Sequence, residues 1–267
     1  MKRRALFAAM GMLLALLLPG GIASAAPSPV LRNNTTFDTE TMAGPFDEIL
    51  RVRDFAPGSW TPLHTHGGPV HVTVLDGELT LRMNGADHLY KAGESWVKMA
   101  GDDHAHAVGN TGVVTARAVA TTLLPKGATE TTNSANIGTP LPPGPTVVYE
   151  ATYANVTMAG PFNVVHKVTD FAPGAFQPVH HHGGPVLVIV LTGTLTVRQN
   201  DAIQTYQAGQ HFVEETTFIH DAGNLTDAPV RIMATTLLPQ GVPQITFVEQ
   251  SPAVDPRMFF VRRLGDG

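Results

Sequence analysis

DFAPGSWTPLHTHGGPV (Asp54–Val70) and DFAPGAFQPVHHHGGPV (Asp170–Val186) are two versions of one stretch, set 116 residues apart. Each carries a pair of histidines, His64 and His66 or His180 and His182, just before a Gly-Gly-Pro turn. The same offset joins TMAGPF at Thr41–Phe46 to TMAGPF at Thr157–Phe162. Further along, TTLLP at Thr121–Pro125 and at Thr235–Pro239 lie 114 residues apart. The first copy therefore holds two extra residues between Tyr90 and Thr121. A fixed period of this kind marks a duplicated structural unit. The units run over residues 33–127 and 146–249. Residues 128–145, rich in Thr, Asn and Pro without apolar periodicity, read as an extended linker, and 250–267 as a C-terminal tail.

Within each unit the pattern is that of strands. Val70, Val72 and Val74 alternate with His71, Thr73 and Leu75, a turn follows at Asp76-Gly77, and alternation resumes over Glu78–Arg82. The second unit repeats this over Val186–Leu191, a turn at Thr192-Gly193, and Thr194–Arg198. Beyond the N-terminus no stretch has a 3.6-residue period. Two all-β units of roughly 100 residues, each a small sandwich or barrel, are expected.

Composition narrows the chemistry. Charged residues make up only 15% of the chain, while Gly (26) and Pro (21) are abundant, as in proteins of many short strands. The net charge is −5 and no basic run occurs past the N-terminus, so nucleic acid is not an expected partner. Cysteine is absent, which removes disulfides, thiolate ligands and cysteine nucleophiles. Lys2, Arg3 and Arg4, the apolar run Ala5–Leu18 and Ala23-Ser24-Ala25 form a signal peptide over residues 1–25. Its apolar run falls short of the roughly 20 residues that span a bilayer. Export to the periplasm or beyond a bacterial cell is expected, with no stable membrane span after cleavage.

The histidines carry the functional signal. His64 and His66 lie two apart on a strand and share a face, and His106 comes several strands later. His180, His182 and His220 repeat the set. Three imidazoles of this kind make a plausible facial set for a divalent ion. Gly58, His64, His66 and Gly77, with Gly174, His180, His182 and Gly193, fit the motif G-x5-H-x-H-x3-4-E-x6-G. Gly209, His220 and Asn224 fit G-x5-P-x-G-x2-H-x3-N, and Gly93, His106 and Asn110 fit it with the two-residue insertion just before His106. These residues resemble the cupin superfamily over both repeats. The resemblance implies two tandem double-stranded β-helix (jelly-roll) barrels, each holding a divalent metal (Fe, Mn, Ni, Cu or Zn) through the motif histidines.

One departure is shared. The motif glutamate is Val70 in one copy and Val186 in the other, and no carboxylate replaces it nearby, so each site reads as a neutral three-histidine site. His71 should point away from the ligands, as should His181. Weaker catalytic candidates are His104, a fourth ligand, an acid/base or simply a loop histidine, and Arg82 and Arg198. An arginine reaching the cavity would bind an anionic substrate, and one on a solvated strand face would not. Asp102-Asp103 and Glu214-Glu215 precede the third histidines and read as solvated loop acids or lid carboxylates.

Similarity to quercetin dioxygenase-type cupins implies a metal-dependent dioxygenase acting on a small enolisable or aromatic substrate in a dry pocket walled by valines. A non-redox lyase, isomerase or decarboxylase, and a non-catalytic metal or small-ligand binder, are the alternatives. Cupins commonly dimerise, so a homodimer is expected by the same resemblance.

Overall fold

The computed structural model describes residues 26–101, 105–134, 142–199 and 202–249. The signal peptide, the C-terminal tail, His104 and the Asp102-Asp103 pair lie outside the described residues. Twenty strands follow one another without an intervening helix among the described residues. In the first repeat these are β1 (Val30–Glu40), β2 (Phe46–Phe55), β3 (His64–His66), β4 (Val70–Asp76), β5 (Glu78–Met83), β6 (Ala86–Lys91), β7 (Ser95–Lys98), β8 (His106–Gly109), β9 (Ala116–Pro125) and β10 (Thr131–Asn133). The second repeat gives β11 (Thr146–Val156), β12 (Phe162–Phe171), β13 (His180–His182), β14 (Val186–Thr192), β15 (Thr194–Gln199), β16 (Ala202–Gln207), β17 (His211–Glu214), β18 (Asp221–Gly223), β19 (Val230–Pro239) and β20 (Ile245–Phe247).

Barrel 1 pairs two five-stranded sheets, and barrel 2 pairs one five-stranded sheet with a layer of two smaller ones. Barrel 1 joins β11-β2-β9-β4-β7 to β10-β3-β8-β5-β6. Barrel 2 joins β1-β12-β19-β14-β17 to a smaller layer of β13-β20 and β16-β15-β18, linked by the His180–His220 bridge. The strand that opens each repeat belongs to the other barrel: β1 pairs antiparallel with β12, and β11 with β2. β10 arises inside the stretch expected to be linker, as the counterpart of β20. Its three residues are exposed, so its pairing rests on backbone groups and leaves no apolar alternation to read.

The repeated strings meet in space. The Gly-Gly-Pro turn is pressed against the TTLLP strand, with Leu123 N–H donating to Pro69 O (3.0 Å) and Leu237 N–H to Pro185 O (3.1 Å). A Cβ at Gly68 would stand 2.0 Å from Leu123 O, and one at Gly184 would stand 1.9 Å from Leu237 O. Only glycine fits there, and the turn fixes where β3 ends and its histidines point.

Inside barrel 1, Phe55, Val72, Leu79, Trp96 and Val108 form the core. The sheets β11-β2-β9-β4-β7 and β1-β12-β19-β14-β17 then pack against each other through Leu50, Val52, Val119, Val168, Leu187, Ile189 and Met233. Buried polar groups share this seam. His71 meets Glu40 (3.0 Å), facing away from the ligands as alternation requires, and His166 bridges Thr73 (2.9 Å) and Thr121 (3.0 Å). Glu48 is buried with neither carboxylate oxygen hydrogen-bonded. Each buried aliphatic side chain contributes about 1.5–3 kcal/mol, against roughly 1–3 kcal/mol for one unpaired polar group. The apolar seam therefore outweighs Glu48. Among the described residues no helix is long and apolar enough to cross a membrane.

Candidate metal centres

The three-residue strand β3 puts His64 and His66 in one barrel interior, and β8 lays His106 directly across from His64. In the second repeat His180 and His220 exchange backbone hydrogen bonds at 2.8 and 3.0 Å. Within each triad one nitrogen of every ring lies within 4.8 Å of the others. The second ring nitrogen is used to aim the first. Nδ1 of His64 contacts Pro62 O at 2.7 Å, that of His180 contacts Pro178 O at 2.7 Å, and that of His220 contacts Phe218 O at 3.0 Å. An Nδ1–H donating to a carbonyl leaves the Nε2 lone pair free for an ion. Burial also lowers His64, His66 and His180, favouring the neutral form that a ligand needs. It pushes His66 down to about 3, helped by His64, Arg53 and Lys98, and His180 down to about 4. Both donor sets therefore suit a divalent metal.

The fourth position separates the two sites. On β14, Val186 stands where the motif glutamate is missing, and its partner across the ladder to β17 is Glu214. Glu214 is buried, with Oε2 3.0 Å from His182 Nε2 and Oε1 2.9 Å from His220 Nε2. These are hydrogen-bond distances, and two donors about 2.1 Å from one ion and at right angles would also lie about 3.0 Å apart, so Glu214 is placed where it could join the histidines around an ion. The expectation of a neutral three-histidine site is corrected for barrel 2, whose carboxylate comes from the facing strand. Desolvation opposes its charge, yet the hydrogen bonds to His182 and His220 outweigh that and hold Glu214 at about 2. His220 is disfavoured as a cation by burial but raised on balance by Glu214. Glu215, the next residue, is exposed and accepts from Tyr153 Oη at 2.8 Å.

In barrel 1 the same ladder position pairs Val70 with Lys98. Lys98 is 5% exposed and donates to Met83 Sδ at 2.7 Å. The site there remains three histidines without a carboxylate.

Space differs as sharply as charge. A cavity of about 330 Å³ opens onto His64, His66 and His106, walled by Phe55, Val70, Val72 and Trp96 and edged by Arg53 and Lys98. At the second triad only about 20 Å³ is free. Ile232 replaces Ala118 in that wall, Gln177 replaces Thr61, and Glu214 lies across the histidines. Arg82 and Arg198 do not line either cavity. Asp87 clamps Arg82 through two hydrogen bonds (2.7 and 2.8 Å) and Asp221 clamps Arg198 (2.8 and 2.6 Å), each guanidinium lying over Trp60 or Phe176. His181, between two ligands, is half-buried on the opposite side of β13 and pairs with Thr246.

The cupin domain family matches residues 51–122 and again 167–236, together more than half of the chain. The chain belongs to the cupin family. Both matches contain an H-x-H pair and stop within TTLLP. No curated protein sequence matches the chain. Among solved structures, a variant of Bacillus subtilis oxalate decarboxylase superposes with a TM-score of 0.54 at 15% identity, covering 85% of this chain and 82% of that one. The same organism's oxalate decarboxylase at pH 4.6 gives 0.50 at 15% identity, covering 77% and 76%. At such identity the likeness is one of fold, and it establishes the bicupin architecture.

Proposed function

We propose that this bicupin is a metal-dependent enzyme whose reaction chamber is barrel 1, and that it acts on a small enolisable or aromatic substrate by O2-dependent cleavage. The observation that carries this reading is the 330 Å³ cavity opening onto His64, His66 and His106, against about 20 Å³ at the second triad. Pockets of that size hold small molecules. A redox-active divalent ion held by three neutral imidazoles supplies Lewis acidity and electron exchange with O2. The chain's own residues do the rest. Pro62 O fixes the His64 ring, Val70, Val72 and Trp96 exclude water, and Thr61 and Thr122 offer hydroxyls to an oxygenated ligand. In barrel 2, His180, His182, His220 and Glu214 would hold an ion with only about 20 Å³ beside it, too little for a substrate, which suits a structural or storage role. The signal over residues 1–25 supports action outside the cytoplasm.

The test is to load the mature protein with Fe, Mn, Ni or Cu, count bound metal, and follow O2 uptake with flavonols and diketones. The expected result is two equivalents of metal, falling to one in His66→Ala and in His182→Ala, with turnover lost only in His66→Ala. CO2 release without O2 uptake would replace the oxygenase reading by a decarboxylase. Metal bound without turnover on any substrate would leave a binding protein.

A further inference from the structure

We propose that barrel 1 takes its substrate as an organic anion, with a carboxylate held by Arg53 and Lys98 and a small apolar body against Phe55, Val72 and Trp96. This rests on barrel 1 being the reaction chamber and names the class of molecule it admits.

Three observations converge. Arg51 and Arg53 both face the cavity from β2, but they are not equivalent. Arg51 is neutralised by Glu130 and Glu150. Arg53 makes no side-chain hydrogen bond or close ion pair among the described residues, and only Glu150, already paired with Arg51, attracts it from farther off. Burial, with repulsion from Arg51, lowers it to about 10. Lys98 is almost fully buried, and among the described residues its ammonium meets only a neutral thioether, a weak acceptor. Glu130 is the sole carboxylate on the cavity wall among the described residues, and Arg51 already occupies it. A half-buried guanidinium offset only by the more distant Glu150, and a buried ammonium with no carboxylate partner among the described residues, are costly in the empty protein, and an ion on the histidines would add more positive charge. An anionic ligand relieves all three at once.

The second repeat is the control that the duplication provides. Thr169 stands in place of Arg53 and Glu214 in place of Lys98. The barrel that lacks the cavity has neither of these two cations, and its one wall cation, Lys167, is attracted by Glu214. Charge and space were kept or lost together, as expected if the cations serve what enters the cavity. Guanidinium and ammonium groups at such a site grip a carboxylate through charge-assisted hydrogen bonds.

The experiment compares benzoate with benzamide, and pyruvate with pyruvamide, by calorimetry on the mature protein, both metal-loaded and stripped by a chelator. Each anion is expected to bind at least about tenfold more tightly than its neutral amide, in both forms. Arg53→Gln and Lys98→Met should each weaken the anion about tenfold and leave the amide unchanged. Their melting temperatures should stay level or rise, since each removes a cation that burial disfavours. The anion–amide contrast is read on the unaltered chain, so it does not depend on a variant folding. Anion binding that follows Arg53 and Lys98 in a protein that loads no metal would sustain this inference and sink the reaction chamber. A metal-loaded, active protein that binds benzoate no better than benzamide would overturn the inference alone.

Discussion

Lys98 and Glu214 close the same four-residue strand in two copies of one barrel, each across the ladder from a valine that stands where the family's ligand glutamate is missing. The backbone around them is held in common: the H-x-H strand, the facing histidine and the Gly-Gly-Pro turn recur in both repeats. Within that shared frame the exchange of Lys98 for Glu214, with Thr169 in place of Arg53, reverses the electrostatics. Glu214 lies between His182 and His220, would supply negative charge to an ion there and, with its neighbours, leaves only about 20 Å³ free. Lys98 withdraws to Met83 and leaves a cationic, open chamber. The histidines are thus fixed by strand pairing, and the choice between a closed centre and an open one is made at the end of the neighbouring strand.

Exchanging that residue is the strongest way to break the comparison. In a His66→Ala background, where only barrel 2 binds metal, Glu214→Gln should weaken metal affinity about 10–100-fold. In a His182→Ala background, Lys98→Glu should strengthen barrel 1 by a similar factor. Competition with a chromophoric chelator measures both. Affinities unmoved by either exchange would show that the triads alone bind the ion.

A smaller change tests the space rather than the charge. Ala118→Ile gives barrel 1 the side chain that barrel 2 has as Ile232 in the corresponding place. Metal content should stay at two equivalents while affinity for a benzoate probe falls about tenfold, as the wall fills. Retained benzoate affinity would mean that the cavity volume plays no part in separating the barrels.

How much of this was legible in the sequence depends on whether the signal is local. The duplication, the strands and all six triad histidines are written in strings with fixed offsets, and the structure brings each triad together. Glu214 was not seen as a ligand, because which residue faces Val186 depends on the register of β14 against β17. A signal was available: HFVE aligns with SWVK, and Glu214 shares the phase of Phe212, which faces the site. Arg82 and Arg198 were readable too, since the buried Leu79 and Leu81 between which Thr80 sits put Arg82 on the outer face. Arg53 was masked by its setting, because RVRDF alternates charge with apolar residues like a strand with a solvated face. Both faces of β2 are in fact covered, one by the cavity and one by the other barrel. The exchange of β1 and β11 between barrels leaves no local mark at all, since partner choice is a long-range matter of backbone pairing.

The smallest expected effect concerns the seam, where the repeats also differ by one charge. Glu48 faces the interface from β2, and Val164 holds the matching place on β12. Desolvation raises the Glu48 carboxyl well above its ordinary 4.5, because neither oxygen finds a donor. The folded protein therefore keeps a proton that the unfolded chain releases, and stability falls as pH rises from 4.5 towards the folded value. Glu48→Leu removes that penalty and keeps the volume filled. It should stabilise the protein by about 1–3 kcal/mol near neutral pH, and by less at about pH 4, where the unfolded chain also holds its proton. Urea unfolding at the two pH values measures the difference. A gain that is the same at both would assign the effect to packing alone, and a loss would mean that the carboxyl has a hydrogen-bond partner in the seam after all.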